Sequence, residues 1–336
     1  MNTKRKIGTV PVFLGAALFI AACVLPLVVS NYRTFQLTLV LVYAIALLGL
    51  NILTGYNGQI SLGHGAFYAI GAYTTAMLMD QAGMPYWATL PIAGTVCLVV
   101  GFLFGLPALR LEGLYLALAT FALAVSMPPI LKAHFLEKWT GGVQGIVIVK
   151  PDPPAWLGAA GVKLNADQWL YYFVLAVAIV LFVAGWNLIS GRVGRALIAI
   201  RDHHTAAEAM GVNTAIYKSL AFGVSAMYTG IAGALGAIAV QFVAPDSFTV
   251  FLSITFLVGI VVGGLASLTG ALYGALFIQF VPNIADELSK AAPWAVFGVF
   301  LIGLVYLMPT GVAGALRALL NRRRSGKLLQ PKEALP

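Results

Sequence analysis

GYNGQISLGHGAFYAIGAY (residues 55–73) lies in a long stretch without charged residues, yet it holds five glycines and the polar residues Asn57, Gln59, Ser61 and His64. Irregular backbone persists in a lipid bilayer only where it is buried in protein or lines a wet cavity. Glycines weaken a straight helix, and the polar side chains can bond the backbone groups that are freed. Two interpretations are open: a broken helix beside a translocation path, or close helix packing through small residues.

The composition indicates an integral membrane protein. Apolar residues make up 60% of the 336 positions and charged residues 9%, whereas soluble domains carry about 25% charged residues. The charge-free windows long enough to cross a bilayer are 7–32, 34–79, 81–109, 113–131, 168–191, 219–245, 247–285 and 291–316. One crossing needs roughly 20 residues, so the windows 34–79 and 247–285 can hold two helices each. We expect an all-α, polytopic fold with ten crossings; eight or nine remain possible because the window 247–285 is tight.

The distribution of basic residues predicts the orientation. Lys and Arg are enriched in cytoplasmic segments, and a cytoplasmic N-terminus with ten crossings puts 14 of the 20 basic residues inside. The predicted parts are a cytoplasmic tail (1–8), a transmembrane permease domain (9–316) and a basic cytoplasmic tail (317–336). Within the domain, the long loop 134–168 lies outside and the loop 190–217 inside. The charges are dispersed over short loops, which argues against nucleic-acid binding.

Several kinds of chemistry lack the residues they need. The predicted topology leaves every charged residue at a helix end or in a loop, whereas proton-coupled carriers use ionisable groups within the membrane. The chain has no G-x-x-x-x-G-K-[ST] phosphate loop, and its four histidines show no metal-ligand or nucleophile–base spacing. We therefore expect no enzyme activity, no cofactor and no metal. A sodium site made of carbonyl and hydroxyl oxygens stays possible.

The inner loop contains DHHTAAEAMG (residues 202–211), which predicts a short capped helix over about 203–210. Either Asp202 or Thr205 can serve as its N-cap, and Thr205 with Glu208 fits a capping box. Gly211 is placed to end the helix. A helix this short is not stable alone in water, so it is either a docking surface or a surface turn with helical character.

The candidate residues for the translocation path or broken helix belong to the opening stretch: Gln59, Ser61, Gly63, His64 and Tyr68. His64 is the strongest candidate because it is the one histidine that the predicted topology places in the membrane.

Several motifs together resemble the branched-chain amino acid permeases of ABC importers, the membrane subunits that carry leucine, isoleucine and valine. They are LTGYNGQISLGHGAFYAIGAY, LRLEGLYLALATFA, TGGVQGI, GRALIAIRDHHTAAEAMGVN, LAFGVSAMYTGIAGALGA, FVAPDSFTVFLSI and VGGLASLTGALYGALF, in the order of the family. The resemblance covers about residues 36–315. The chain departs from the family at Gly270-Ala271, where Gly-Pro is common, and at Glu208, which follows two alanines instead of preceding them.

This resemblance implies a subunit of the bacterial inner membrane with both termini in the cytoplasm. Its implied partners are two ATPase subunits that hydrolyse ATP, a related sister permease in a heterodimer, an extracytoplasmic solute-binding protein and the lipid bilayer. The residues implied to form the coupling helix that docks on the ATPase are Asp202, Thr205, Ala206, Ala207, Glu208 and Gly211.

Three alternatives are kept. Permeases for urea and short amides are similar in sequence, and their solutes also lack net charge. An ion-coupled secondary carrier or a channel would transport without ATP. An integral-membrane enzyme is the weakest alternative because no acid–base cluster is present.

Overall fold

The computed structural model describes residues 22–109, 111, 113–154, 164–288 and 293–326, and it is mostly helical. The helices are α1 (Asn31–Asn51), α2 (His64–Asp80), α3 (Tyr86–Ala108), α4 (Leu114–Leu131), α5 (His134–Thr140), α6 (Ala166–Ser190), α7 (Arg192–Asp202), α8 (His204–Ala209), α9 (Thr214–Val240), α10 (Val250–Gly263), α11 (Leu268–Leu288), α12 (Pro293–Leu307) and α13 (Gly311–Gly326). A π-helical turn (Ile52–Tyr56) continues α1, and a 3-10 turn (Pro245–Phe248) precedes α10. Residues 22–28 are also helical.

The apolar windows of the sequence correspond to these helices. Window 34–79 holds α1 and α2, and window 247–285 holds α10 and α11, as predicted. Window 7–32 lies mostly outside the described residues. In the described part, six helical segments are long and apolar enough to cross a membrane, and α10, with 14 residues, is shorter. The fold is therefore all-α and polytopic, while the total of ten crossings stays a prediction.

Helix α9 is the centre of the fold and packs on α1, α2 and α3. Its small residues allow this: a Cβ built on Gly233 would lie 2.0 Å from the carbonyl oxygen of Tyr68 in α2. A Cβ on Gly230 would lie 2.2 Å from Sγ of Cys97 in α3. Close backbone approach through small residues is the usual way for membrane helices to associate. By contrast, only seven of the 25 residues of α6 are buried in the protein, as expected for a helix that faces lipid on one side.

The two long loops lie at opposite ends of α9. At about 1.5 Å per residue, its 27 residues are long enough to cross a bilayer. Helices α7 and α8 precede its first turn; after its last turn, β2 (Phe242–Val243) pairs antiparallel with β1 (Ile146–Val147) of the loop 134–168. We call these the α8 end and the β1 end of the molecule.

Both long loops contain helices. The loop 134–168 begins with α5, and α6 already starts at Ala166. In the loop 190–217, the predicted short helix is preceded by a further helix, α7. Helix α7 has polar and apolar faces and buries Leu197 and Ile200. No helix had been predicted from the sequence over these residues.

Candidate functional site

The opening stretch forms an interruption between two membrane helices. The π-helical turn ends at Tyr56, residues 57–63 are non-helical, and α2 begins at His64. Gly58 has a φ of +76°, a left-handed conformation that favours glycine. Two hydrogen bonds tie the interruption to the π-helical turn. The backbone amide of Gln59 donates to the Leu53 carbonyl at 3.2 Å, and the Thr54 hydroxyl donates to the backbone carbonyl of Gln59 at 3.0 Å.

Helix α4 supports the other half of the interruption. The Leu62 amide donates to Thr120 Oγ1 at 2.9 Å. A Cβ on Gly63 would lie 2.9 Å from the Thr120 carbonyl oxygen, so glycine is needed there for the interruption to approach the backbone of α4. Gly63 therefore serves close packing, one of the two interpretations that the sequence left open.

His64 is 1% exposed and joins α2 to α9 and α1. Its Nδ1 lies 3.0 Å from Ser61 Oγ, and its Nε2 lies 2.6 Å from Ser225 Oγ. The Ser225 hydroxyl donates its only hydrogen to the Gly49 carbonyl at 2.6 Å, so it accepts from Nε2–H. Nδ1 is then the acceptor for the Ser61 hydroxyl. Every polar group in this chain of bonds has a partner, and the geometry gives His64 the role of a buried link between helices.

Asn51 binds the interruption to the turn between α10 and α11. Its Nδ2 donates to the Ser267 carbonyl at 2.8 Å, and its Oδ1 accepts from the Ala266 amide at 2.9 Å. Ala266 has a φ of +54°, which non-glycine residues rarely adopt. From α13, Arg317 Nη2 donates to Ser267 Oγ at 2.8 Å. The segment 311–326, part of which the sequence assigned to a tail, therefore contacts the helical core.

Two cavities lie on either side of this packed region. The inner pocket, at the α8 end, has a volume of about 260 Å³ and is lined by Gly58, Gln59 and Arg201 among others. The outer pocket, nearer the β1 end, has a volume of about 130 Å³ and is mostly apolar, with Tyr43, Tyr68 and Phe248 in its wall. Of the five path candidates, Gln59 therefore lines one cavity and Tyr68 the other, while Ser61, Gly63 and His64 lie in the packing between them.

The short inner helix is present as α8, but its cap differs from the prediction. The N-cap is His203, in extended conformation and without a side-chain cap bond. Asp202 ends α7 and accepts from Arg201, and Thr205 lies inside α8. Both predicted N-caps and the capping box were wrong, because the chain bends at His203 directly after α7.

Glu208 has partners inside its own chain. Its carboxylate accepts from the Thr214 hydroxyl at 2.6 Å and lies 3.5 Å from His204 Nε2. The bond from Thr214 joins α8 to the first residue of α9, whereas His204 lies one turn back in α8 itself.

One face of α8 is exposed and the other packs on the protein. Ala207 is 4% exposed and faces inward, whereas Thr205, Ala206 and Met210 are exposed, Met210 by 86%. A larger side chain at Ala207 would therefore clash within this chain. Gly211 follows with a φ of +84° and ends the helix, as predicted.

Sequence reasoning missed four residues whose hydrogen bonds join the interruption, the start of α2 or the turn between α10 and α11 to other parts of the protein: Asn51, Ser225, Arg201 and Arg317. Asn51 and Ser225 gave a weak signal, since each is a polar residue in an apolar helix. The two arginines resembled ordinary loop charges. In the described part of the chain, no three His, Cys, Asp or Glu residues come together as metal ligands.

Comparison with known proteins agrees with this architecture. Residues 32–309 match the family of branched-chain amino acid transport system permease components. The match covers the helices on both sides of the interruption and those that contact it, and it ends before α13.

Individual relatives are permeases as well. The chain is 31% identical over 310 residues to the high-affinity branched-chain amino acid transport system permease protein LivM of Salmonella typhimurium, which covers 86% of this chain and 72% of that protein. It is 24% identical over 293 residues to LivH of Escherichia coli, covering 81% and 91%. It is 26% identical over 246 residues to the autoinducer 2 import system permease protein LsrC of Escherichia coli, covering 70% and 66%. No solved structure shows a significant match. With its interrupted helix and the match across most of its length, the chain belongs to the branched-chain amino acid transport permease family.

Proposed function

We propose that the chain is the membrane-spanning permease subunit of an ATP-driven ABC importer and forms part of the path for branched-chain amino acids. LivM and LivH, the relatives with this activity in their names, support the solute class. A solute-binding protein delivers the solute outside, and two ATPase subunits drive the cycle from the cytoplasm. The chain itself does not hydrolyse ATP.

One observation carries this proposal: the interrupted helix has a mostly apolar cavity on one side and a polar cavity on the other. The outer pocket has tyrosine and phenylalanine walls and a volume suited to a short aliphatic side chain. The inner pocket exposes more polar than apolar surface and includes Gln59. His64, Ser61 and Ser225 close the region between them, as expected for a path that opens to one side at a time.

The remaining features follow from the same function. The protein lies in the bacterial inner membrane with ten crossings and both termini in the cytoplasm. The parts are the tail 1–8, the domain 9–316 and the tail 317–336, although α13 runs across the last boundary. The α8 end faces the cytoplasm, and α8 docks on an ATPase. Because LivM and LivH are distinct relatives of this chain, we expect a related sister permease to complete the pair.

Reconstitution tests the proposal. The chain is co-expressed with the ATPases, the sister permease and the binding protein encoded beside it, and the complex is placed in liposomes. We expect ATP-dependent uptake of labelled leucine that needs the binding protein. Uptake of urea or acetamide in place of leucine would favour the amide alternative. Transport by this chain alone, without ATP, would show a secondary carrier or channel.

A further inference from the structure

Arg201 connects the inner loop to the interrupted helix. Its Nη1 donates to the Gly55 carbonyl at 2.9 Å, across 146 positions of sequence. Gly55 lies in the π-helical turn, whose last carbonyls lack partners within the helix. A cation is also favourable at the negative end of a helix. The side chain thus binds the interruption where the helix leaves its backbone groups open.

The guanidinium is held in place from its own side as well. Nε and Nη2 donate to Asp202 Oδ1 at 3.0 and 2.9 Å. The aliphatic stem packs on Gly58, where an added Cβ would lie 2.8 Å from Arg201 Cγ. A planar group with several donors can satisfy both contacts at once, which a lysine ammonium on a flexible stem does less well.

The position of Arg201 in the chain links this contact to α8. Arg201 and Asp202 are the last residues of α7, and His203 is the N-cap of α8. Only Asp202 and His203 separate Arg201 from the first residue of α8, so a displacement of α8 also displaces Arg201. Arg201 also forms the wall of the inner pocket together with Gly58 and Gln59, so its movement changes the shape of that pocket.

We propose that Arg201 is the positioning residue that transmits the movement of α8 to the interrupted helix and so opens and closes the inner pocket. This inference rests on the proposed function, since it requires a partner that moves α8. The movement is a rigid-body shift of α7 and α8. The bond to Gly55 carries it to the π-helical turn, and the packing on Gly58 carries it to the non-helical segment.

Arg195 offers a matched control on the same helix. Its Nη1 donates to the Ser190 carbonyl at 3.4 Å, so it too binds a carbonyl at the end of a membrane helix. That contact is local, five positions along the chain. Removing Arg195 removes the same charge and a similar helix-end contact without disconnecting α8 from the interruption.

The test uses the complete importer in liposomes and measures ATP hydrolysis and leucine uptake in the same vesicles. For Arg201→Ala we expect hydrolysis within about twofold of the wild type and a fall of about tenfold in leucine taken up per ATP, a coupling effect of ordinary size. For Arg201→Lys we expect an amount of leucine per ATP between those of the wild type and Arg201→Ala. Arg195→Ala should match the wild type. An unchanged ratio for Arg201→Ala, or hydrolysis and uptake that fall together as the ATPases dissociate, would refute the inference.

A second measurement separates transmission from folding. In a Cys23→Ser, Cys97→Ala background, spin labels are placed singly at Ile60, which is 47% exposed beside the inner pocket, and at Val193, which is 36% exposed on α7. With Arg201 present, ATP should change both spectra. In Arg201→Ala, ATP should change the spectrum at Val193 and no longer that at Ile60; a preserved response at Ile60 contradicts the inference. Failure of the proposed function is distinct, because the wild type would then take up no leucine with ATP.

Discussion

Gly71 of α2 and Gly230 of α9 cross in direct backbone contact: a Cβ built on Gly71 would lie 1.9 Å from the Gly230 carbonyl oxygen. The same stretch therefore supplies both the interruption and a close helix crossing. The two interpretations of its glycines hold at different positions. Gly58 serves the irregular backbone, whereas Gly63 and Gly71 serve packing.

The glycine crossing predicts a large cost for one added methyl group. Gly71→Ala forces α2 and α9 apart, and overpacking of this kind costs about 1–3 kcal/mol. We expect a lower midpoint of thermal unfolding for the purified protein in detergent. Gly303→Ala in α12, where no described atom lies within 4 Å of the added Cβ, is the control and should leave the midpoint unchanged. Equal midpoints for the two variants would contradict the close contact.

The hydrogen bonds of His64 predict a structural effect of Ser225. Ser225→Ala leaves Nε2–H of His64 buried without an acceptor, which costs about 1–3 kcal/mol. The unfolding midpoint should fall, while the apparent KM for leucine of the surviving protein should stay the same. Thr95→Ala, which removes an exposed hydroxyl bonded within its own helix, is the control. A changed KM with an unchanged midpoint would instead indicate that Ser225 meets the solute.

The exposed face of α8 predicts the effect of Met210. Met210→Asp should weaken binding of the ATPase subunits at least about tenfold, because a charge replaces an apolar anchor in a groove. The unfolding midpoint of the permease should not change. Val149→Asp places the same charge on a residue that is 83% exposed near the β1 strand and should leave ATPase binding intact. The measurement is co-purification from detergent extracts; normal ATPase recovery with Met210→Asp would exclude this face as the docking surface.

Substitutions of Gly211 test the role of α8 by disturbing the backbone conformation at its end. Its φ of +84° is unfavourable for a β-branched residue. Gly211→Val should misplace the end of α8 and abolish ATP-dependent uptake, with the protein still inserted in the membrane. Gly211→Asn, which tolerates this conformation better, should restore part of the uptake. Equal uptake by the two variants would show that the left-handed turn is not required.

The outer pocket predicts an effect on solute size. Ala237 is 4% exposed and lines the cavity of about 130 Å³, so Ala237→Leu fills much of it. We expect Ala237→Leu to slow the uptake of leucine into liposomes more than the uptake of alanine. Ala237→Gly should keep the native ratio of leucine uptake to alanine uptake. If Ala237→Leu leaves uptake of both solutes unchanged, the path does not pass this cavity.

The predicted orientation can be tested by labelling. Single cysteines at Asp152 and Ser325, in a background without Cys23 and Cys97, should react with an impermeant maleimide from opposite sides of the membrane. The reason is the excess of basic residues assigned to the inside. Labelling of both positions in intact cells would overturn the model with both termini in the cytoplasm.

The sequence by itself determined the apolar windows that α1, α2, α10 and α11 occupy and the end of α8 at Gly211, and it offered the interruption between α1 and α2 as one of two interpretations. These features depend on local properties: runs of apolar residues long enough for a bilayer, and glycines where the backbone must adopt left-handed angles. The family resemblance came from the same stretches. The amphipathic α7 was the main local feature that the sequence failed to reveal.

Only the tertiary structure decided which distant residues meet. His64 bonds Ser225 across 161 positions, Asn51 bonds Ser267 across 216, and Arg201 bonds Gly55 across 146. Such pairs depend on how the helices cross and rotate about their axes, which side-chain packing over the whole bundle sets. For the same reason the inward position of Ala207 and the separate places of Gln59 and Tyr68 in two cavities could not be read from their neighbours in the chain.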